Sequence, residues 1–446
     1  MDLHLFDGGF GSRGRFHEFG VVVTEPPEVL NQSARILLIE DDPLFQELTR
    51  RGLKKLGFEV DIADDGEKGV KQAAAQPYSA IIVDLMLPRM HGFEVIEHLR
   101  ASPASLRTPI VAYSTKIYES DHRQALALGA DAFLQKPLDP TVISDTLSAL
   151  VGSLAVRFWG VRGSIAAPGP ETARYGGNTP CLTIDYGGRT LIVDSGTGIR
   201  RLGQILTAEA RRAPSEVDLL ISHTHWDHIQ GFPFFLPAYI PGNRIRVYGP
   251  RTLSKPLEIA LRGQMDPEYF PVALGDMAAD IHVEDVRNDR LEIGPFTITH
   301  TYLNHPGMTL GFRIEAGGCA VVYATDTEPF GRVLAAQGDD AAAGRTMDQA
   351  LVALVEGADL YIGDAQYTHS EYQQKTGWGH SSCDDTTQLA IQANAKRLAL
   401  FSHDPMHDDD TVDSMVEHCK SLASTAGSSL EVLGATEGTT VRLSQG

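Results

Sequence analysis

One segment of this chain joins a short apolar run to a dense group of metal-ligating side chains. The apolar run extends from Val217 to Ile221, and it is followed by His223, His225, Asp227 and His228. An apolar run that ends in a polar cluster is typical of a buried strand that delivers its last residues to a site at its carboxyl edge. Imidazole and carboxylate groups suit Zn²⁺, Fe or Mn²⁺. The segment therefore predicts a metal site.

The spacing within this segment leaves room for two cations. His223 and His225 point the same way on an extended segment, whereas Asp227 and His228 follow the bend. One cation can bind the first pair and a second cation the other pair. Three further ligand-type residues each follow an apolar, strand-like run, and we expect them to reach the same edge of the sheets: His305, Asp326 and His403.

Composition excludes several classes of protein. The 446 residues allow two or three domains, and the formal net charge of -20 disfavours nucleic acid as a partner. The four cysteines form no C-x-x-C pair, which favours reduced thiols in a cytosolic protein. No apolar stretch has the length of a membrane span, and no signal-peptide core is present. We expect a cytoplasmic protein without a membrane partner.

The chain divides into three parts. Residues 1–33 have no sustained periodicity, and we expect them to form a disordered leader. The sequence does not decide whether this leader is translated in the cell. Residues 34–151 alternate strand-like and helical runs, which predicts a doubly wound parallel α/β sheet. Residues 155–446 contain more strands, with helical stretches that include 351–357 and 384–393. A tether of three residues, 152–154, joins the two domains and predicts that they lie close together.

Polar residues end the predicted strands of the first domain. The residues at these ends are Glu40, Asp41, Asp42, Asp84, Ser114 and Lys136. Carboxylates gathered at the carboxyl edge of a sheet would repel one another unless a hard cation such as Mg²⁺ bridged them. The first domain therefore predicts a magnesium site.

These residues lie in motifs that resemble the receiver domain of two-component response regulators. The motifs are Ile39-Glu40-Asp41-Asp42, Val83-Asp84-Leu85-Met86-Leu87-Pro88, Met90-His91-Gly92 and Gln135-Lys136-Pro137. The resemblance implies a flavodoxin-like fold, and it implies a sensor histidine kinase that phosphorylates Asp84. It also implies Mg²⁺ binding by Asp41, Asp42 and Asp84. Ser114, Phe133 and Lys136 would form the switch that responds to the phosphoryl group.

The second domain resembles the metallo-β-lactamase fold family, which implies an αββα sandwich. The resemblance implies that His223, His225 and His305 bind one metal. It implies that Asp227, His228 and His403 bind a second metal and that Asp326 bridges the two. Asp194 would orient the ligand loop. We expect zinc at both positions, with manganese or iron as alternatives.

Two later motifs resemble RNase Z and related phosphodiesterases. They contain Asp364, in Tyr361-Ile362-Gly363-Asp364, and His380, in Gly379-His380-Ser381-Ser382. The resemblance implies that His380 protonates the leaving oxygen while Asp364 orients it, and Asp227 can hold the proton of the nucleophile. The region 232–289 lacks the basic arm with which RNase Z grips tRNA. We therefore expect a small phosphodiester or a cyclic nucleotide as the substrate.

Alternatives remain open at this point. The same metals could hydrolyse a thioester or a lactone, as in glyoxalase II-like enzymes. A diiron or other metal site could instead act as a non-enzymatic sensor. We also expect a homodimer, and phosphorylation of Asp84 could raise or lower the activity through the surface near the last helix of the first domain.

Overall fold

A computed structural model gives the fold of residues 34–115, 118–136, 140–209, 214–251 and 255–444. The predicted leader, residues 1–33, lies outside these described residues. Among them, no helix combines the length and the apolar character that a membrane crossing needs.

The first domain contains one five-stranded sheet in which every pairing is parallel. The strand order is β2-β1-β3-β4-β5, which is the flavodoxin-like doubly wound order. The strands are β1 (Arg35–Ile39), β2 (Glu59–Ala63), β3 (Ala80–Asp84), β4 (Ile110–Ser114) and β5 (Ala132–Gln135). The helices are α1 (Pro43–Lys55), α2 (Gly66–Ala75), α3 (Gly92–Ala101), α4 (Glu119–Ala127) and α5 (Pro140–Val151). Because the strands are parallel, their carboxyl ends meet at one edge.

Two seven-stranded sheets follow, each with parallel and antiparallel pairs. The first sheet has the order β11-β10-β9-β8-β7-β6-β19. Its strands are β6 (Leu154–Gly160), β7 (Cys181–Tyr186), β8 (Arg189–Val193), β9 (Glu216–Leu220), β10 (Arg244–Gly249), β11 (Asp280–Asp285) and β19 (Thr440–Leu443). Helices α6 (Ile199–Glu209), α7 (Trp226–Ile229) and α8 (Leu257–Gln264) lie between these strands along the chain.

The second of these sheets has the order β12-β13-β14-β15-β16-β17-β18. Its strands are β12 (Arg290–Ile293), β13 (Phe296–Tyr302), β14 (Leu310–Ala316), β15 (Cys319–Ala324), β16 (Leu360–Asp364), β17 (Arg397–Phe401) and β18 (Glu431–Gly434). Its helices are α9 (Phe330–Gln337), α10 (Ala341–Val355), α11 (His369–Lys375), α12 (Cys383–Gln392) and α13 (Asp409–Thr425).

The two sheets pack against each other across an apolar layer. Phe158 and Leu182 of the first sheet share one buried cluster with Phe312, Val321 and Phe401 of the second. A second cluster joins the outer face of the first sheet to α6 and α8, and a third joins the second sheet to α10, α12 and α13. This layering confirms the predicted αββα sandwich after a doubly wound domain.

The loop between α3 and β4 docks the first domain on the sandwich. Leu106, 4% exposed, packs in the apolar cluster that contains Trp159. Arg157 donates from Nη1 to the carbonyl oxygen of Leu106 at 3.2 Å, and Arg107 donates to Asp185 at 2.9 Å. The interface therefore uses a loop, in addition to the short tether that follows α5.

Leu106→Ala should weaken this docking. Truncating a buried leucine costs about 2–5 kcal/mol because it removes apolar contacts and leaves a cavity. We expect the midpoint of urea unfolding to fall. Leu126→Ala is the matched control because this leucine of α4 is exposed, and exposed substitutions stay within about 0.5 kcal/mol. Equal midpoints for the two variants would contradict the docking role of Leu106.

Candidate metal centre and phosphoryl site

The acidic site of the first domain forms around one buried lysine. Lys136 donates from Nζ to Glu40 Oε2 at 2.5 Å and to Asp84 Oδ2 at 2.7 Å. Oxygens of Glu40, Asp41 and Asp84 lie within 4.8 Å of one another. Burial raises the pKa of Glu40, although hydrogen bonds from Lys136 and Tyr113 oppose the shift. This arrangement fits a divalent cation beside the predicted phospho-acceptor.

The other predicted residues of this site occupy different positions around it. Asp42 caps α1, because its Oδ1 accepts from the backbone N–H of Leu44 at 2.7 Å. Ser114 is buried at the end of β4. Phe133 is half-buried in β5, with its ring centroid 5.2 Å from that of His122. Asp42 is thus the only predicted magnesium ligand outside the described group of Glu40, Asp41 and Asp84.

In the sandwich, a loop and a short helix present the histidine segment. Strand β9 ends at Leu220, and α7 begins at Trp226. His223 and His228 are buried, whereas His225 is exposed at the opening of the site. The ring centroids of His223 and His225 are 4.6 Å apart. The structure therefore places the four ligand-type residues of this segment around one cleft.

The carboxylate of Asp326 faces four imidazoles across this cleft. Its Oδ2 lies 3.3 Å from Nε2 of His228, 3.6 Å from that of His223, 3.8 Å from that of His305 and 4.0 Å from that of His380. Asp227 lies on the same side, with its Oδ2 3.4 Å from His228 Nε2. Asp326 is therefore a neighbour of His223 and His228 in the histidine segment and also of the later His305 and His380.

Possible metal-binding groups overlap at this point. Three combinations have ligand atoms within 4.8 Å of one another: His223, His225 and His305; His223, His228 and Asp326; His305, Asp326 and His380. Among the described residues, the buried Nε2 atoms of His223 and His228 have no hydrogen-bond partner. Leaving a buried polar atom unpaired is costly, so these two nitrogens fit a bound cation.

Asp194 fixes the orientation of His228. The Nδ1–H of His228 donates to Asp194 Oδ2 at 2.7 Å, which leaves the Nε2 lone pair directed into the cleft. Asp194 also accepts from the backbone N–H of Ser222 at 2.7 Å and from the hydroxyl of Tyr323 at 2.7 Å. Its backbone φ of 58° and the φ of 56° at Asp326 lie in the left-handed region, a strained conformation that is concentrated at functional sites.

His380 and Asp364 form a hydrogen-bonded pair at the rim of the cluster. Asp364 is buried at the end of β16, and its Oδ2 accepts from His380 Nδ1 at 2.9 Å. Burial opposes protonation of His380, but Asp364 and Asp326 outweigh it and raise the pKa of His380 to about 9. The shift favours the protonated ring, whose Nδ1–H donates to Asp364 and whose Nε2 faces Asp326.

His403 lies apart from these groups. It follows β17, and its Nε2–H donates to the carbonyl oxygen of Ala435 at 2.9 Å. Its ring also contacts that of Tyr175, with centroids 5.4 Å apart. Burial lowers the pKa of His403 to about 3. The structure thus brings six of the seven predicted metal ligands together, and the role of His403 stays a prediction.

Glu328 is a site residue that sequence reasoning did not identify. This buried carboxylate accepts from the backbone N–H of Gly377 at 2.7 Å and of Gly379 at 2.9 Å. The carbonyl oxygen of Gly379 in turn accepts from His305 Nδ1 at 2.7 Å. Glu328 therefore holds the turn that orients His305. Its position two residues after Asp326 was the available signal.

Comparison with known families gives one match in each of the two parts of the chain. Residues 36–148 match the response regulator receiver domain, and residues 189–403 match the beta-lactamase superfamily domain. The receiver match covers the segment that forms the parallel five-stranded sheet. The second match lies in the segment that forms the two seven-stranded sheets.

Curated relatives share the first domain. The transcriptional regulatory protein QseB of Haemophilus influenzae is 36% identical over 117 residues, which cover 26% of this chain and 52% of that protein. The transcriptional activator protein IrlR of Burkholderia pseudomallei is 38% identical over 105 residues, covering 24% of this chain and 44% of that protein. The chain thus spans about half the length of the curated relatives it matches.

Solved structures match the two parts separately. The metallo-beta-lactamase fold protein YhfI from Bacillus subtilis is 20% identical and covers 65% of this chain and 99% of its own, with a TM-score of 0.46. The receiver domain of sensor histidine kinase PA1611 from Pseudomonas aeruginosa is 31% identical. The match covers 27% of this chain and 99% of that domain, with a TM-score of 0.26. With the family matches and the sheet topology, the chain is a response regulator receiver domain followed by a metallo-β-lactamase superfamily domain.

Proposed function

We propose that this protein is a metal-dependent phosphodiesterase that acts on a small phosphodiester and is controlled by phosphorylation of Asp84. The observation that carries the proposal is the convergence on Asp326 of two unpartnered buried imidazole nitrogens, those of His223 and His228, and of the His380–Asp364 pair. Ligands for cations and a proton donor thus share one cleft.

The assignment of ligands follows the geometry of the cleft. His223, His225 and His305 would hold one cation, Asp227 and His228 a second, and Asp326 would contact both. Nitrogen and oxygen donors of this kind suit zinc, and manganese or iron can replace it. When bound, such a pair of cations supplies Lewis acidity and makes water a nucleophile near neutral pH.

His380 would act as the general acid. Asp364 holds its Nδ1, so the proton on Nε2 points towards the cleft, where the leaving oxygen of a phosphodiester would develop negative charge. The hydrogen bond to Asp364 favours the protonated form of the ring and so raises the pKa of His380. Asp227 is held by the backbone N–H of Ser164 at 2.8 Å and could accept the proton of the attacking water.

The charge of the chain favours a compact substrate. With a formal net charge of -20, the protein would repel a polynucleotide, whose affinity depends on cationic contacts to many phosphates. A single phosphodiester presents one negative charge, which the proposed cations would offset. Hydrolysis of bis(4-nitrophenyl) phosphate and of cyclic nucleotides by the zinc-loaded protein, measured beside a thioester and a lactone, tests the proposed reaction class.

Replacing His380 tests its role as a proton donor. His380→Gln should lower kcat by roughly 10²–10⁴-fold for a phosphodiester with an alkoxide leaving group. The loss should be much smaller for a 4-nitrophenolate leaving group, because that group needs no proton. His369→Gln is the control, since His369 is an exposed histidine at the start of α11. Equal losses for both leaving groups would contradict general-acid catalysis.

Replacing Glu328 tests how the turn of residues 377–379 supports the metal centre. In Glu328→Gln, an amide N–H would oppose the N–H of Gly379, so the carbonyl that orients His305 should move. Changes next to metal ligands typically weaken metal affinity 10–100-fold. We expect a loss of that size in chelator competition with zinc. Glu417→Gln, on the exposed face of α13, should leave affinity unchanged. Unchanged affinity in Glu328→Gln would leave Glu328 only a structural role.

Control by Asp84 would pass through the docked loop. Helix α3 packs closely on the phospho-acceptor, because a Cβ atom at Gly92 would lie 2.3 Å from the carbonyl oxygen of Asp84. At the other end of α3, Arg100 donates to the carbonyl oxygens of Leu106 and Thr108 at 3.1 and 2.7 Å. A shift of α3 would therefore move the loop that contacts the sandwich.

Beryllofluoride, which mimics the phosphoryl group, tests this control. With Mg²⁺ and beryllofluoride, turnover should change by about fivefold or more, the range of ordinary coupling between sites. Asp84→Asn should not respond, and Leu106→Ala should respond less, whereas Leu126→Ala should respond like the original protein. Unchanged turnover and unchanged mass in solution would contradict phosphorylation control.

A further inference from the structure

The three tryptophans of the chain have very different surroundings. Trp159 is 4% exposed and packs in the core of the sandwich. Trp226 and Trp378 are 80% and 63% exposed. Large apolar side chains left in water cost free energy, and exposed groups of them mark binding surfaces. Two of the three tryptophans are therefore candidates for a binding surface.

Both exposed tryptophans adjoin the open side of the histidine cluster. Trp226 lies between His225 and Asp227 in the sequence, and consecutive Cα atoms are about 3.8 Å apart. Trp378 precedes Gly379, whose carbonyl oxygen accepts from His305 at 2.7 Å. His305 Nε2 lies 2.9 Å from His225 Nδ1, so the backbone segments that carry the two tryptophans are both next to one pair of neighbouring imidazoles.

Two more exposed apolar side chains belong to the same surroundings. Ile165 follows Ser164, whose N–H donates to Asp227 at 2.8 Å. Met406 lies in a turn held by Asp404, and Asp404 forms an ion pair at 3.2 Å with Lys375, the last residue of α11, which precedes the turn of Trp378. We call Ile165, Trp226, Trp378 and Met406 the apolar rim.

The rim is held in place by buried polar contacts. Glu328 fixes the turn of Trp378 through the N–H groups of Gly377 and Gly379, which have φ values of 89° and 87°. Trp226 is the first residue of α7, next to the buried His228 segment. A fixed backbone reduces the conformational entropy that this part of the rim loses when a ligand binds.

We propose that the apolar rim binds a planar aromatic ring of the substrate next to the scissile phosphodiester, such as the base of a single nucleotide. The proposal rests on the proposed function and names its substrate class. Indole faces stack on flat rings of many kinds, and such stacking needs no cationic groove. The acidic chain, in contrast, disfavours a polynucleotide or an anionic membrane as the occupant.

Binding measurements test this proposal without relying on hydrolysis. The probes are adenosine 5′-monophosphate and ribose 5-phosphate, which share the phosphate and differ in the ring. The zinc-loaded full chain should bind the first at least about tenfold more tightly, in line with the contribution of one stacked base. The nucleotide should also protect the exposed tryptophans from quenching by acrylamide, while the buried Trp159 contributes a constant signal.

Variants locate the effect on the rim. Trp378→Ala and Trp226→Ala should each remove most of the preference for the nucleotide, and Trp226→Phe and Trp378→Phe should retain it. Tyr269→Ala is the control because Tyr269 is an exposed aromatic residue outside the rim, and it should behave like the original protein. Equal binding of the two probes, or a preference that survives both alanine variants, would overturn the proposal.

The outcomes also separate this inference from the proposed function. A preference for the nucleotide in a protein that hydrolyses no phosphodiester would support the rim and reject the phosphodiesterase. Hydrolysis without any preference for an aromatic ring would reject the rim alone. Protection of the same tryptophans by phosphatidylcholine vesicles, with none by the nucleotide, would overturn the proposal in favour of a lipid surface.

Discussion

The carboxylate of Asp194 is the interaction on which the metal cleft most depends. It follows β8 of the first sheet of the sandwich and accepts a hydrogen bond from Tyr323 in β15 of the second. The same group holds the backbone of Ser222 and the Nδ1–H of His228. One buried carboxylate thus joins the two sheets and determines which imidazole nitrogen faces the cleft. The strained φ of Asp194 is maintained by these contacts.

Sequence alone predicted the elements of the site better than their geometry. His223 and Asp326 each follow a buried strand, and Asp364 ends one. Residues at the strand ends of one layered fold meet, so their convergence could be expected. His403 also follows a strand, but its Nε2 donates to Ala435. That carbonyl belongs to a different part of the chain, and no local pattern reveals such a contact.

Strands at the edge of a sheet are harder to predict from the sequence than central strands. Strand β11 alternates exposed and half-buried residues at the edge of its sheet, so it lacks the continuous apolar run that identified the central strands. A polar strand at a sheet edge has only a weak hydrophobic pattern in its sequence, whereas a buried central strand has a continuous apolar run.

The phosphoryl site and the docking loop lie at opposite ends of the receiver sheet. Asp84 ends β3, but the docking residues Leu106 and Arg107 precede β4. Asp131, which accepts a hydrogen bond from Arg442 of β19, precedes β5. A strand of five residues spans about 16 Å, so a signal from Asp84 must cross the sheet before it reaches the sandwich. Helix α3 runs between these ends, with Gly92 against Asp84 and Arg100 on the docking loop. Rigid packing along one helix is therefore the simplest physical link between the two domains.

The central claim is that the cleft around Asp326 holds two cations. Anomalous diffraction from crystals of the zinc-loaded protein tests it directly, together with the measured number of zinc ions per chain. The account predicts two peaks, one among the imidazoles of His223, His225 and His305 and one beside Asp227 and His228, with Asp326 between them. The position of the His403 ring in the same map would show whether its Nε2 stays on Ala435. No anomalous peak in the cleft at full zinc loading would contradict the account.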